Sequence, residues 1–134
     1  MSHVFLHKPA TGTVTLVGAP LCEGQPLGCV DLAPDAMRTG GLQQVIKNEG
    51  WEFADGGDVP RPDSDPELQR ALAHSADVSD PDKYFAADLV KNSVVVGHSV
   101  RQVYDHVSSA KEDGSFALTV GGDHSIAAGS IAGS

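Results

Sequence analysis

The chain has 134 residues, of which 40% are hydrophobic, 9 are basic and 18 are acidic, so its formal net charge is −9. This length can bury one modest core and accommodates one domain or part of one. The acidic excess argues against nucleic acid as a partner, because binding to phosphate backbones depends on Lys and Arg displacing counterions. No apolar stretch approaches the roughly 20 residues that cross a bilayer, and Met1–Lys8 lacks the apolar core of a secretory signal. We therefore expect a cytoplasmic protein that binds no membrane.

The first third of the chain predicts a buried strand, a helix and a short second strand. Thr13–Val17 is a β-prone run typical of a strand that is buried on both faces, and it ends at a Gly and Pro-rich loop. Pro34 suits the first turn of a helix that Gly40-Gly41 weakens and Gly50 ends. The apolar stripe of this helix consists of Met37, Leu42, Val45 and Ile46. Trp51–Ala54 then favours a short second strand.

The remainder of the chain predicts a surface excursion, a long helix and a third strand. Residues 59–82 are rich in Pro, Asp and Ser, which predicts an excursion with only a helical turn at 68–72. From Lys83 to Gly114, apolar residues recur at helical spacing, and the length of such a helix allows a break near Gly97. Phe116–Val120 has the composition of a buried strand. The alternation of strands and helices predicts an α/β fold with a parallel sheet of about three strands.

The most informative run is Val120–Ser125, where the third strand gives way to a helix. Two glycines permit a sharp turn, and Asp123 and His124 follow at the carboxyl edge of the sheet. Open α/β sheets bind ligands at this edge, so His124 is placed to act as a metal ligand or as a catalytic base. A purely structural explanation stays open, since Asp123 or Ser125 is also a suitable N-cap for the helix.

The other polar residues give weaker signals. Asp55–Asp58 resembles part of a calcium loop, but the Pro-rich sequence that follows lacks the alternating donors and the closing Glu. His98 and His106 are separated by about 12 Å along the axis of a predicted helix, which is too far to chelate one ion. Cys22 and Cys29 have neither a zinc-type spacing nor that of a disulfide framework, so we expect both to be free thiols.

The run VGGDHSIAAGSI, from Val120 to Ile131, resembles the first metal-ligand motif of the arginases, the manganese-dependent members of the ureohydrolase family. The Gly24-Gln25-Pro26 pattern favours arginases over agmatinase-like relatives. The resemblance implies a three-layer α/β/α fold, incomplete here, with its strands in the order second, first, third. It covers nearly the whole chain, and its further segments are Gly18-Ala19-Pro20, Gly28, Pro34, Met37-Arg38, Gly41-Leu42, Asp55–Asp58 and Lys91-Asn92.

The resemblance also implies a chemistry. A complete arginase hydrolyses L-arginine to L-ornithine and urea at two manganese ions, where a bridging hydroxide attacks the guanidinium carbon. His124 matches a metal ligand and Asp123 a residue that supports the site, whereas no residue matches a catalytic role and the substrate-binding residues stay unidentified. The later motifs of the family, Asp-Ala-His-x-Asp and a subsequent Asp-x-Asp, do not follow His124 in this chain. We therefore interpret 1–134 as the amino-terminal part of a single arginase-like domain, inactive and at best marginally folded by itself.

Two other hypotheses stay open. A non-catalytic α/β module would bind an anion at Gly121-Gly122 and the following helix N-terminus, where free N–H groups meet the positive end of the helix dipole. The chain lacks, however, the G-x-G-x-x-G pattern and a P-loop lysine. An interaction remnant would associate with complete subunits or aggregate through an unpaired sheet edge. For the complete protein, the resemblance implies a homo-oligomer.

Overall fold

The computed structural model describes residues 12–25, 28–75 and 92–134, and of 71–75 only the backbone. Both strand pairs are parallel, and the order of the sheet is second, first, third. The predicted α/β class, the three parallel strands and their order are therefore confirmed. The strands are β1 (Thr13–Ala19), β2 (Glu52–Asp58) and β3 (Phe116–Gly121). The helices are a 3-10 helix (Val30–Leu32), α1 (Ala33–Thr39), α2 (Leu42–Asn48), α3 (Pro66–Ser75), α4 (Ser93–Glu112) and α5 (Ile126–Gly133).

β1 is the central strand, and its alternate side chains face two different helical layers. Val17 lies in the main core with Val103 of α4, and Ile126 of α5 packs against the same cluster. Val14, on the other face, lines an apolar cavity together with Ile46 of α2. Helices thus cover both faces of the sheet, which confirms the predicted three-layer α/β/α arrangement.

The single helix predicted from Pro34 to Gly50 is two helices, α1 and α2. The chain turns between them at Gly40-Gly41, where Gly41 has a φ of 89°. This left-handed conformation is readily accessible to glycine, so the weak point in the predicted helix is a complete break. Met37 and Val45, two members of the predicted apolar stripe, are 49% and 58% exposed, so the stripe is less buried than the sequence indicated.

α4 is the longest helix of the described ranges and runs without a break through Gly97. The break that the sequence allowed near this residue does not occur, and the part of α4 after Gly97 is stabilised by packing of Val103 and Val107 in the main core. The part of the predicted helix from Lys83 to Lys91 lies outside the described residues. Among the described helices, none combines the length and the apolar character that a membrane crossing requires.

β2 is longer than predicted and ends at Asp58 rather than at Ala54. Its main chain stays paired with β1 through Leu16↔Asp55 and Gly18↔Asp58, with a register shift between these two pairs. The glycine-rich segment therefore lies in the strand and not in a loop after it. Sequence composition missed this because glycine disfavours strands, whereas pairing with a central neighbour stabilises them.

The described part of the 59–82 excursion contains more than the predicted helical turn at 68–72. Helix α3 has ten residues, and Val59 and Leu68 are 1% and 0% exposed. The Asp65 carboxylate accepts hydrogen bonds from the N–H groups of Glu67 and Leu68, at 2.9 and 3.3 Å, and so stabilises the start of the helix. Residues 76–82 of the predicted excursion lie outside the described residues.

Candidate functional site

The turn between β3 and α5 forms where the sequence predicted it. Gly122 has a φ of 76°, and a Cβ at this position would lie 2.5 Å from the carbonyl oxygens of Ala19 and Leu21. Only glycine fits both the left-handed conformation and this close approach to the loop after β1. Asp123 and His124 follow directly, at the carboxyl edge of the sheet, and they differ sharply in exposure. Asp123 is buried and His124 is exposed.

The Asp123 carboxylate accepts two main-chain hydrogen bonds. Its Oδ2 accepts from the Gly24 N–H at 2.7 Å, and its Oδ1 accepts from the Ser125 N–H at 2.8 Å. Burial alone would raise the pKa of Asp123, but the hydrogen bonds from Ser125 and Gly24, with the nearby His124, outweigh burial and hold the pKa below its ordinary value. Asp123 is therefore an anionic anchor between α5 and a loop 99 residues earlier in the chain.

His124 is accessible from solvent beside this anchor. A hard divalent ion such as manganese requires about six donors, largely oxygen with some imidazole. Across residues 12–25, 28–75 and 92–134, no group of three or more His, Cys, Asp or Glu side chains converges in a way that could hold a metal ion. His124 is thus suitable as one ligand, but the described residues do not amount to a complete metal site.

The loop after β1 is held against this turn from two sides. The Asp123 N–H donates to the Leu21 carbonyl at 2.9 Å, in addition to the bond between Gly24 and the Asp123 carboxylate. On the other side, the Asn92 amide donates to the Glu23 carbonyl at 2.9 Å from the N-cap position of α4. Three segments that the sequence linked only by resemblance, at Gly24, Asn92 and Asp123, therefore meet in one place.

A second polar cluster joins α1 to β2. Arg38 donates to both carboxylate oxygens of Asp55, at 2.8 and 3.0 Å, and to Asp58 at 2.7 Å. The hydrogen bonds from Arg38 lower the pKa of Asp55, and the same bonds raise the pKa of Arg38 further. The sequence associated the two aspartates weakly with a calcium loop, but in the structure both form salt bridges with Arg38. Their spacing along the chain gave no signal of this partner, which precedes Asp55 by 17 residues.

A third cluster attaches α3 to α4. His98 Nε2 and Gln102 Nε2 approach Asp65 Oδ2 at 2.7 and 2.6 Å. Burial opposes ionisation of Asp65, but hydrogen bonds from His98, Gln102 and the start of α3 outweigh it and lower its pKa. His98 contacts the side chains of Asp65 and Gln102, whereas His106 contacts the main-chain carbonyl of Gln102 through Nδ1 at 2.9 Å. The sequence gave no indication that Asp65 joins α3 to α4, because its side-chain partners His98 and Gln102 lie more than 30 residues away.

The two cysteines are free thiols in the structure, as predicted. Burial, together with the charges of Glu23, Asp31 and Asp123, raises the pKa of the Cys22 thiol. A raised pKa reduces the thiolate fraction at neutral pH, so Cys22 is not an activated nucleophile.

Comparison with known proteins bears directly on this geometry. The sequence model of the arginase family matches residues 12–134. The chain belongs to the arginase family. It is 33% identical to human Arginase-1 over 121 residues, an alignment that spans 90% of this chain and 32% of the human protein. It is 32% identical over 133 residues to the non-hepatic arginase 1 of Xenopus laevis, covering 99% of this chain and 32% of that protein.

Solved structures agree. The arginase of Bacillus caldovelox matches with a TM-score of 0.67 and 27% identity, covering 95% of this chain and 36% of that one. An arginase of Bacillus subtilis matches with a TM-score of 0.65 and 29% identity, covering 91% and 34%. The predicted family and fold are therefore confirmed. This arginase-family chain spans about one third of the length of the curated relatives that it matches.

Proposed function

We propose that this chain is part of an arginase-type amidinohydrolase that converts L-arginine to L-ornithine and urea. The observation that carries the proposal is the placement of His124 within an arginase-family chain: it lies exposed, after a glycine turn, at the carboxyl end of β3. Ligands of open α/β sheets bind at this edge. In the complete protein, His124 would be one donor to a pair of manganese ions, whose contribution is the activation of water near neutral pH.

The described residues support only part of that centre. His124 supplies one imidazole, while both oxygens of the neighbouring Asp123 are engaged by main-chain N–H groups. We therefore propose that the remaining donors come from parts of the complete protein beyond this chain. The isolated chain is then inactive, because one ligand neither retains two ions nor positions a shared water. We also propose that the complete protein is a cytoplasmic homo-oligomer.

The anion-binding alternative gains no support from the same turn. The N–H groups of Ser125, Ile126 and Ala127, which would have to face an anion, have acceptors within the turn. The Asp123 carboxylate also lies at this helix start and would repel a second negative charge.

The test uses the complete protein loaded with manganese and supplied with arginine. His124→Ala should reduce bound manganese, measured by mass spectrometry of the metal, and should reduce urea release at least about 100-fold. His106→Ala is the matched control, because this histidine contacts a main-chain carbonyl within α4. Unchanged manganese content and turnover in His124→Ala would refute the metal-ligand role. Turnover of agmatine in preference to arginine would refute the proposed substrate.

The isolated 134-residue chain gives a second test. We expect no urea release with manganese and arginine, and either weakly cooperative thermal unfolding or aggregation. β3 has β1 as its partner on one edge, and its other edge pairs with no strand among the described residues. Turnover comparable to that of an ordinary enzyme, from a monodisperse preparation, would contradict the proposal that essential donors lie elsewhere.

A further inference from the structure

Asp123 is adjacent to His124 in sequence, yet its carboxylate serves a different partner. Both of its oxygens accept main-chain N–H groups, and one of these belongs to Gly24 in the loop after β1. The residue is only 7% exposed. A buried carboxylate with two main-chain donors is a strong and directional anchor, because charge-assisted hydrogen bonds are stronger than neutral ones.

The loop is shaped to fit this anchor. A Cβ on Gly24 would lie 2.7 and 2.9 Å from the two Asp123 carboxylate oxygens, so a larger residue requires the loop or the carboxylate to move. The neighbouring Glu23 carbonyl accepts the Asn92 amide at 2.9 Å, and the Leu21 carbonyl accepts the Asp123 N–H at 2.9 Å. The segment 21–25 is therefore tied to the turn at two points and to the start of α4 at a third.

We propose that Asp123 is a positioning residue whose carboxylate fixes the segment 21–25 against the turn that carries His124, so that this segment forms one wall of the substrate site. The attachment of the segment follows from the contacts above and is independent of the chemistry. Its role as a wall of the substrate site rests on the proposed function. Asp123 then acts through the position of the loop and does not itself contact substrate.

Two variants break the attachment from opposite sides. Asp123→Asn replaces one of the two carboxylate oxygens by an NH2 group, which cannot accept from Gly24 or Ser125, and Gly24→Ala inserts a methyl group between loop and carboxylate. Gly28→Ala is the matched control, because a Cβ at Gly28 meets nothing within 4 Å. The first measurement is amide hydrogen exchange of the complete protein, with α4 as the internal reference for global stability.

We expect exchange in the segment 21–25 to accelerate about tenfold or more in Asp123→Asn and Gly24→Ala, while Gly28→Ala and the α4 amides stay unchanged. Unchanged exchange in the segment 21–25 for both variants would overturn the proposal, whatever the protein catalyses. If acceleration in α4 equals that in the segment, the variants act through global unfolding, and the specific attachment is refuted.

Steady-state kinetics of the complete protein test whether the segment 21–25 forms a wall of the substrate site. Gly24→Ala should raise KM for arginine by about fivefold or more and change kcat less, with manganese content retained, because the loop positions substrate rather than metal. Loss of manganese in Gly24→Ala and Asp123→Asn would overturn the proposal, since the carboxylate would then serve the metal. An absence of arginine turnover in every version, including the unaltered protein, would refute the proposed function, and hydrogen exchange alone would then decide the positioning role.

Discussion

Replacing glycine by alanine should have opposite effects on stability at two helical positions, Gly129 and Gly97. Gly129 lies on α5 where it crosses α4, and a Cβ there would overlap the Val100 carbonyl oxygen and lie 3.0 Å from Val103 Cβ. Gly97 lies within α4, and a Cβ there would meet nothing within 4 Å. Alanine at Gly129 therefore requires two helices to separate, whereas alanine at Gly97 fills open space.

The magnitudes follow from two terms. Replacing glycine by alanine inside a helix stabilises it by about 1 kcal/mol, and this gain applies to both positions. Overpacking against backbone atoms costs about 1 to 3 kcal/mol, and this cost applies to Gly129 alone. We expect Gly97→Ala to stabilise the chain by about 1 kcal/mol and Gly129→Ala to destabilise it by a similar amount. The difference between the variants, about 2 kcal/mol, isolates the packing cost.

Urea unfolding of the complete protein, followed by far-ultraviolet circular dichroism, measures both free energies of unfolding, with the unaltered protein as reference. Equal slopes against urea would show that the variants unfold to similar extents, so that the midpoints report stability. The close packing of α4 on α5 would be refuted if Gly129→Ala were at least as stable as Gly97→Ala. Gly133→Ala should resemble Gly129→Ala, because a Cβ there would lie 2.8 Å from the Tyr104 carbonyl oxygen.

Three further outcomes are expected. Because the pKa of Asp65 is lowered by folding, its carboxylate stabilises the folded state at pH values above the ordinary pKa of 3.8, and this contribution is lost as the pH falls through the folded-state pKa. Asp65→Asn should therefore make the unfolding midpoint less dependent on pH in this acid range. A pH dependence identical to that of the unaltered chain would contradict the cluster with His98. Arg38→Ala should raise the pKa of Asp55, measured by carboxyl-carbon NMR, whereas Arg38→Lys should restore it only in part because lysine lacks the bidentate geometry. The mass of the unreduced chain should show two free thiols, and an internal bridge between Cys22 and Cys29 would refute this.

Local sequence patterns determined the strands β1 and β3 and the turn that carries His124. β1 and β3 are runs of β-prone residues, which composition alone identifies as strands. Only β1 is buried as its composition predicted, whereas β3 is half-buried and its first residue, Phe116, is exposed. The glycines before Asp123 marked the turn because few other residues adopt the required backbone conformation. The exposed β2 has no such run, so its extent depended on pairing with β1 and its end was predicted four residues too early.

The tertiary structure alone decided which polar residues meet. Asp123 and His124 were both placed near a metal site by sequence, but only the fold shows that the Asp123 carboxylate is turned to Gly24, 99 residues away in the chain. Likewise, the partner of Asp55 is Arg38 and that of Asp65 is His98. Periodicity and composition report which face of an element is apolar, whereas a hydrogen bond depends on where two distant elements lie relative to each other. Local sequence thus sets β1, β3 and the position of the ligand turn, and packing of the sheet and helices selects the contacts made there.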